Sequence, residues 1–248
     1  MTRRARIALF AVACAGFAAL LFWGLAGLPH FGGYQGAYGN QINARAVPDR
    51  HTTNAVGATV FDYRGFDTLG EEFILFAAVA GVAMLLREAE RRERQDPIDP
   101  VRSDGVRLLG ALLVAPVFVL GLWVVAFGYV TPGGAFQGGV ILAGAILLVY
   151  LVGSYRDFER VTPKPLAEAA KGTGAGAYTV LGLAGLAAES AYLQNFLGKG
   201  DTGTLFSGGS IPLLNGVAAI EVSFAMLLLF SEFLEEYVVP VARGRSPR

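Results

Sequence analysis

Long apolar runs separated by short polar stretches are the dominant pattern along the chain. A helix needs about 20 residues to cross a hydrocarbon core, and six runs approach or reach that length. They are Ile7 to Leu28, Leu69 to Leu86, Leu108 to Val130, Gln137 to Tyr155, Ala177 to Leu197 and Ile211 to Phe230. Apolar residues follow one another within these runs instead of alternating, which predicts helices and not barrel strands. The pattern predicts an all-α integral membrane protein with six transmembrane helices, arranged two plus four. The last two runs each carry one acid, Glu189 and Glu221.

Composition agrees with a membrane protein. Hydrophobic residues make up 54% of the chain and charged residues 16%, with a mean hydropathy of +0.50, well away from an ordinary soluble domain. The net charge of zero hides a polarised distribution. Arg3, Arg4 and Arg6 precede the first run, and Arg87, Arg91, Arg92, Arg94, Arg102 and Arg107 fill the second connection. Arg156, Arg160, Lys164 and Lys171 fill the fourth connection, and Arg243, Arg245 and Arg248 form the tail. These groups hold 16 of the 20 basic residues. By the positive-inside rule both termini are cytoplasmic, as an even number of spans requires. The expected location is a prokaryotic cell (inner) membrane, crossed several times, with lipid as a neighbour and no nucleic-acid partner. The first run exceeds a usual signal-peptide core and is expected to be retained.

Four segments follow. Residues 1–86 hold two spans joined by an outer loop from Pro29 to Thr68, and residues 87–104 form a polar cytoplasmic linker. Residues 105–240 hold four spans, and residues 241–248 are a basic tail.

Three features could carry chemistry. Asp67 and Glu71 are four residues apart, so they share one helix face at the outer end of the second span, with Glu72 turned about 100° away. They read either as acids favoured by a helix N-terminus or as the mouth of a cation or proton path. The turn "TPGGAFQGG", residues 131 to 139, places Pro132, Gly133 and Gly134 in a hairpin and Gly138 and Gly139 at the start of the next span. Such small residues suit close helix packing. Glu189 and Glu221 interrupt apolar spans, where a carboxyl group is costly and faces a partner, a cavity or a proton path. Counted from the expected outer ends, both fall about 12–14 Å deep, which predicts a pair near the membrane middle. A single cysteine excludes an internal disulfide. With His30 and His51 the only histidines and no nucleophile or metal motif, the residues point to no cofactor and to a protein that is not an enzyme.

These residues carry a resemblance. "TPGGAFQGGVILAGAILLVYLV" resembles the signature hairpin of the MnhB (MrpB) subunit of Mrp-type multisubunit Na+/H+ antiporters. "TNAVGATVFDYRGFDTLGEEFILF" is similar to a module at the C-terminal end of the large MrpA subunit, which occurs separately as MbhE in membrane-bound hydrogenase complexes. The resemblance implies a fusion of an MbhE-like module (1–86) with an MnhB-like domain (105–240). It implies partners: complex I-like antiporter subunits and small membrane subunits, with Na+ or another monovalent cation and H+ as the ions. A subunit of a hydrogenase-like or other respiratory ion-pumping complex, and a purely structural scaffold, are the alternatives. The expected ion or proton path runs through Glu189, Glu221, Asp67 and Glu71.

Overall fold

The computed structural model describes residues 3–28, 30, 32–33, 36–86 and 103–238. The linker up to residue 102 and the basic tail lie outside these residues. All regular structure among the described residues is helical. Five helices are long and apolar enough to cross a membrane: α1 (Arg3–Ala26), α4 (Gly65–Leu86), α5 (Asp104–Ala126), α6 (Ala135–Val152) and α9 (Ile211–Val238), the last over Ile211–Leu234. Shorter or more polar helices are α2 (Ala37–Arg50), α3 (Ala55–Ala58), α7 (Tyr155–Val161) and α8 (Lys164–Glu189), and a π-helical turn spans Thr59–Tyr63.

The chain forms two compact units, Met1–Gln41 and Ile42–Arg248. The first contains α1, none of whose side chains is buried. The second is a helical bundle, and α4, which precedes the linker, packs within it on α8 and α9.

Glycines and other small residues set the bundle's helix spacing. Along α5 and α6 the close approaches are Gly110 to Val152, Gly121 to Leu142 and Val125 to Gly138. Each sum of residue numbers is nearly constant, which is the register of an antiparallel hairpin. A Cβ at Gly138 would lie 2.4 Å from Val125, and one at Gly139 would lie 2.9 Å from Val222. The Gly138–Gly139 pair therefore seats α6 against α5 on one side and α9 on the other. The turn before it holds Gly133 and Gly134 at φ 146° and 139°, in backbone that favours glycine, while Pro132 is exposed. In α9, 56% of the most apolar window is buried, against 11% in α4 and α5. The last helix is the central one.

Residues 51–58 are tied to this hairpin. Asn54 accepts from the backbone N–H groups of Val56 and Gly57 and donates through Nδ2 to the carbonyls of Gly128 (2.6 Å) and Thr131 (3.0 Å). Its own N–H donates to Tyr129 O, and the Thr53 hydroxyl donates to Val130 O. Replacing Asn54 by Ala leaves several partly buried polar groups without partners, so a loss of about 2–4 kcal/mol is expected. Asn54→Asp should also destabilise, because it removes both Nδ2 donor bonds. Thermal unfolding of the detergent-solubilised protein checks this, and a wild-type melting point for both variants would contradict it.

The structure corrects the fifth predicted span. The apolar run Ala177 to Leu197 is not one helix. α8 begins thirteen residues earlier, at Lys164, and stops at Glu189. Ser190 and Leu193 adopt left-handed backbone, φ 71° and 62°, and residues 191–195 fold back along α8. Leu193 N donates to Gly182 O at 3.1 Å. Gly182 and Gly185 leave room for this return: a Cβ there would lie 2.4 Å from the Tyr192 ring and 2.6 Å from Gln194 O.

Candidate functional site

Three helices, α4, α8 and α9, meet along a seam where polar side chains are buried. The periodicity of each helix places them. In α4 the buried residues are Gly65, Thr68, Glu72 and Val79, and in α8 they include Ala167, Lys171, Gly174 and Tyr178. On α9 Glu221, Ala225, Leu228 and Glu232 follow at spacings of four, three and four, and all are buried. Spacings of three and four keep residues on one helix face. An apolar layer of Val79, Ala167, Ala225 and Leu228 lies toward the C-terminal end of α4.

Outward of that layer sit Glu72 and Glu221, both fully buried. At 1.5 Å per residue they lie about 10 Å along α4 and about 15 Å along α9 from the outer ends of these helices. The two side chains face one another, but none of their four oxygens makes a well-formed hydrogen bond. Gly174 of α8 backs this pair, since a Cβ there would lie 2.8 Å from Glu221 N. Lys171, one turn along α8 and 7% exposed, places Nζ 4.1 Å from the centroid of the Phe76 ring. Two buried carboxyl groups and one buried lysine thus lie in the middle of the seam.

Polar groups continue in both directions. Toward the outer end, the Tyr178 hydroxyl donates to Gly65 O at 3.0 Å and lies beside Thr68, whose hydroxyl donates to Val60 O at 2.6 Å. Val60 belongs to the π-helical turn, a feature common at functional sites. Toward the inner end, Lys164 Nζ pairs with Glu232 at 2.7 Å. The apolar layer of Val79, Ala167, Ala225 and Leu228 separates the Lys164–Glu232 pair from the buried Glu72–Glu221 pair.

The expected site residues fall in different places. Glu221 is in the seam. Glu189 is not beside it: it is the last residue of α8 and exposed, because the chain turns back at Ser190 instead of continuing as helix. The predicted Glu189–Glu221 pair at one depth is therefore corrected to Glu72–Glu221. Asp67 and Glu71 are on the exposed face of α4, with Asp67 ion-paired to Arg64. The 100° between Glu71 and Glu72 is what turns Glu72 into the bundle. Lys171, expected in a cytoplasmic connection, stands seven residues inside α8 and is buried.

Glu189 borders a second feature, a cavity of about 810 Å³ whose lining also includes Arg50, Asp62, Tyr63, Asn195 and Lys199. Arg50 Nε pairs with Asp62 at 2.6 Å, and Asn195 Nδ2 donates to the other Asp62 oxygen at 3.1 Å. The Arg50 guanidinium also lies over the Tyr63 ring at 5.0 Å. Burial pushes the Tyr63 hydroxyl above the usual tyrosine value.

Sequence comparison places this arrangement. Residues 105–228 match the model of a domain related to the MnhB subunit of Na+/H+ antiporter. The chain belongs to this family. Glu221 and Lys171 of the MnhB-related domain lie inside the matched region, whereas Glu72 lies outside it. The MnhB-family chain is also similar to solved structures. One is a chain of the membrane-bound sulfane sulfur reductase (MBS), an archaeal respiratory membrane complex, with 30% identity and a TM-score of 0.70 over 94% of this chain and 99% of that one. Another is a chain of the Mrp complex from Dietzia sp. DQ12-45-1b, with 22% identity and a TM-score of 0.65. That likeness covers all of this chain but 27% of the other. Among curated proteins none matches.

Proposed function

We propose that this multi-pass membrane protein is the B-type subunit of an Mrp-type cation/proton antiporter, and that a proton or cation path runs through the α4–α8–α9 seam. The buried Glu72–Glu221 pair carries this reading. A carboxyl group inside a membrane bundle is costly and marks ion or proton pathways, and here two face each other. One comes from the MbhE-like module and the other from the MnhB-related domain, so the fusion of the two modules builds the site. Asp67 and Glu71, on the exposed face of α4, are candidates for the path's mouth, whereas Glu189, at the rim of a separate cavity, stands outside it.

In this reading α8 is the sixth span, both termini are cytoplasmic and the membrane is the prokaryotic inner membrane. The chain is a transport subunit and not itself an enzyme, and its partners are other antiporter-type subunits. The likeness to an MBS chain over nearly the full length of both favours a second reading, a membrane subunit of a redox-driven respiratory complex.

Purification through a tag on this chain separates the two. Antiporter-type subunits without iron–sulfur or other redox proteins are expected. Co-purifying redox subunits would favour the respiratory complex, and purification as a lone stable chain would contradict both. Reporter fusions at Met1 and Arg248 should both report the cytoplasm. A periplasmic Arg248 would overturn the six-span topology.

A further inference from the structure

Lys171 is a buried cation without a carboxylate to itself. An ammonium held away from water costs several kcal/mol unless its surroundings compensate. The face of Phe76, one turn beyond Glu72 on α4, supplies part of that by a cation–π contact. Such a contact holds the charge but does not neutralise it.

Three helices bring charged groups toward it. From α4 comes Glu72, fully buried, while Glu71 points outward. From α8 come Glu168, which is exposed, and Lys164. From α9 come Glu221 and Glu232, and Glu232 is paired with Lys164. Among the described residues the middle of the seam therefore contains two carboxyl groups and one ammonium. Gly174, one turn beyond Lys171 on the same face of α8, brings that helix onto the backbone of Glu221. Lys171 therefore stands one turn of α8 from the level at which that helix touches Glu221, and its Phe76 contact stands one turn of α4 from Glu72; Glu221 is the buried carboxyl group its charge faces.

We infer that Lys171 is the resident counter-charge of the Glu72–Glu221 pair, so that the pair keeps one exchangeable proton instead of two. Two carboxyl groups, one proton and one ammonium sum to zero, and a low-dielectric interior favours a neutral filling. Without the ammonium the neutral filling would need both protons, and neither would leave easily near neutral pH. Lys171 is a positioning residue in this scheme: it sets how many protons the pair holds. The inference rests on the proposed path only for its functional meaning, since the proton count is a property of the buried groups themselves.

An infrared pH titration of the purified complex counts protonated carboxyl groups directly. The pair's C=O band is assigned by its loss in the Glu72→Gln/Glu221→Gln double variant. In wild type the band should correspond to one protonated carboxyl per chain across the neutral range. In Lys171→Met it should correspond to two, with the midpoint of its loss displaced upward by about one pH unit or more. Lys171→Arg, which keeps the charge, should titrate like wild type. A wild-type band of two protons at neutral pH overturns the inference without any lysine variant. So does a Lys171→Met titration identical to wild type. Normal transport by the double glutamine variant would instead remove the path and leave the proton count standing.

Discussion

Glu72→Gln and Glu221→Gln should each lower cation/proton exchange by about a hundredfold or more, in the range found when a proton-transferring side chain is removed. Glutamine matches glutamate in volume and preserves the packing of α4, α8 and α9, but it cannot release a proton. Assembly of the complex should therefore stay close to wild type while exchange is lost. Glu189→Gln is the internal comparison. Glu189 is exposed at the end of α8, fifteen residues or about 22 Å of helix at 1.5 Å each beyond Gly174, which touches Glu221. Its neutralisation should change exchange by less than about twofold, as for a surface charge screened by solvent. The measurement is exchange in inverted membrane vesicles from a strain lacking the native chain, with assembly followed by native gel. An assembled double variant, Glu72→Gln with Glu221→Gln, that exchanges at the wild-type rate would reduce both acids to packing residues.

The contrast between Glu72 and Glu189 shows how far the sequence alone reaches. Hydropathy locates the helices because a span must be apolar over its whole length, and it finds α1, α4, α5, α6 and α9. It does not see the break at Ser190. The segment "SAYLQNF" after Glu189 is nearly as apolar as a helix end, and its return requires left-handed backbone at Ser190 and Leu193. Neither is a glycine, so no turn residue marks the place. What could have marked it is the Gly182–Gly185 pair, whose bare face is filled by residues 192–194. Lys171 was obscured by its charge, because a basic residue near a polar connection reads as cytoplasmic. Yet Ala167, Lys171, Gly174 and Tyr178 follow at spacings of four, three and four, a helical face of small residues with one lysine in it. Glu72 was obscured by the paired acids beside it. Gly65 and Thr68, seven and four residues earlier, mark the inward face of α4, and Glu72 belongs to that face.

Gly174→Ala is the other substitution with a large expected effect, and its neighbours supply the comparison. The stretch "GTGAG" places Gly172, Gly174 and Gly176 within five residues of α8. A Cβ at Gly172 or Gly176 would meet nothing within 4 Å. A Cβ at Gly174 would lie 2.7 Å from Glu221 Cβ and 2.8 Å from Glu221 N, closer than real Cβ contacts come. The backbone of α9 cannot rotate away as a flexible side chain would, so the two helices must separate. Overpacking of this kind costs about 1–3 kcal/mol, whereas Gly172→Ala and Gly176→Ala should be neutral or gain up to about 1 kcal/mol from helix propensity. The displacement falls on Glu221 itself, so exchange should suffer beyond what the loss of stability explains. Gly174→Ala complexes that remain assembled should still exchange several-fold more slowly than the Gly172→Ala and Gly176→Ala complexes. Melting temperature and exchange rate, measured on the same preparations, test both halves of this expectation. If Gly174→Ala matches Gly172→Ala in both, α8 does not press on Glu221, and the seam is looser than the structure describes.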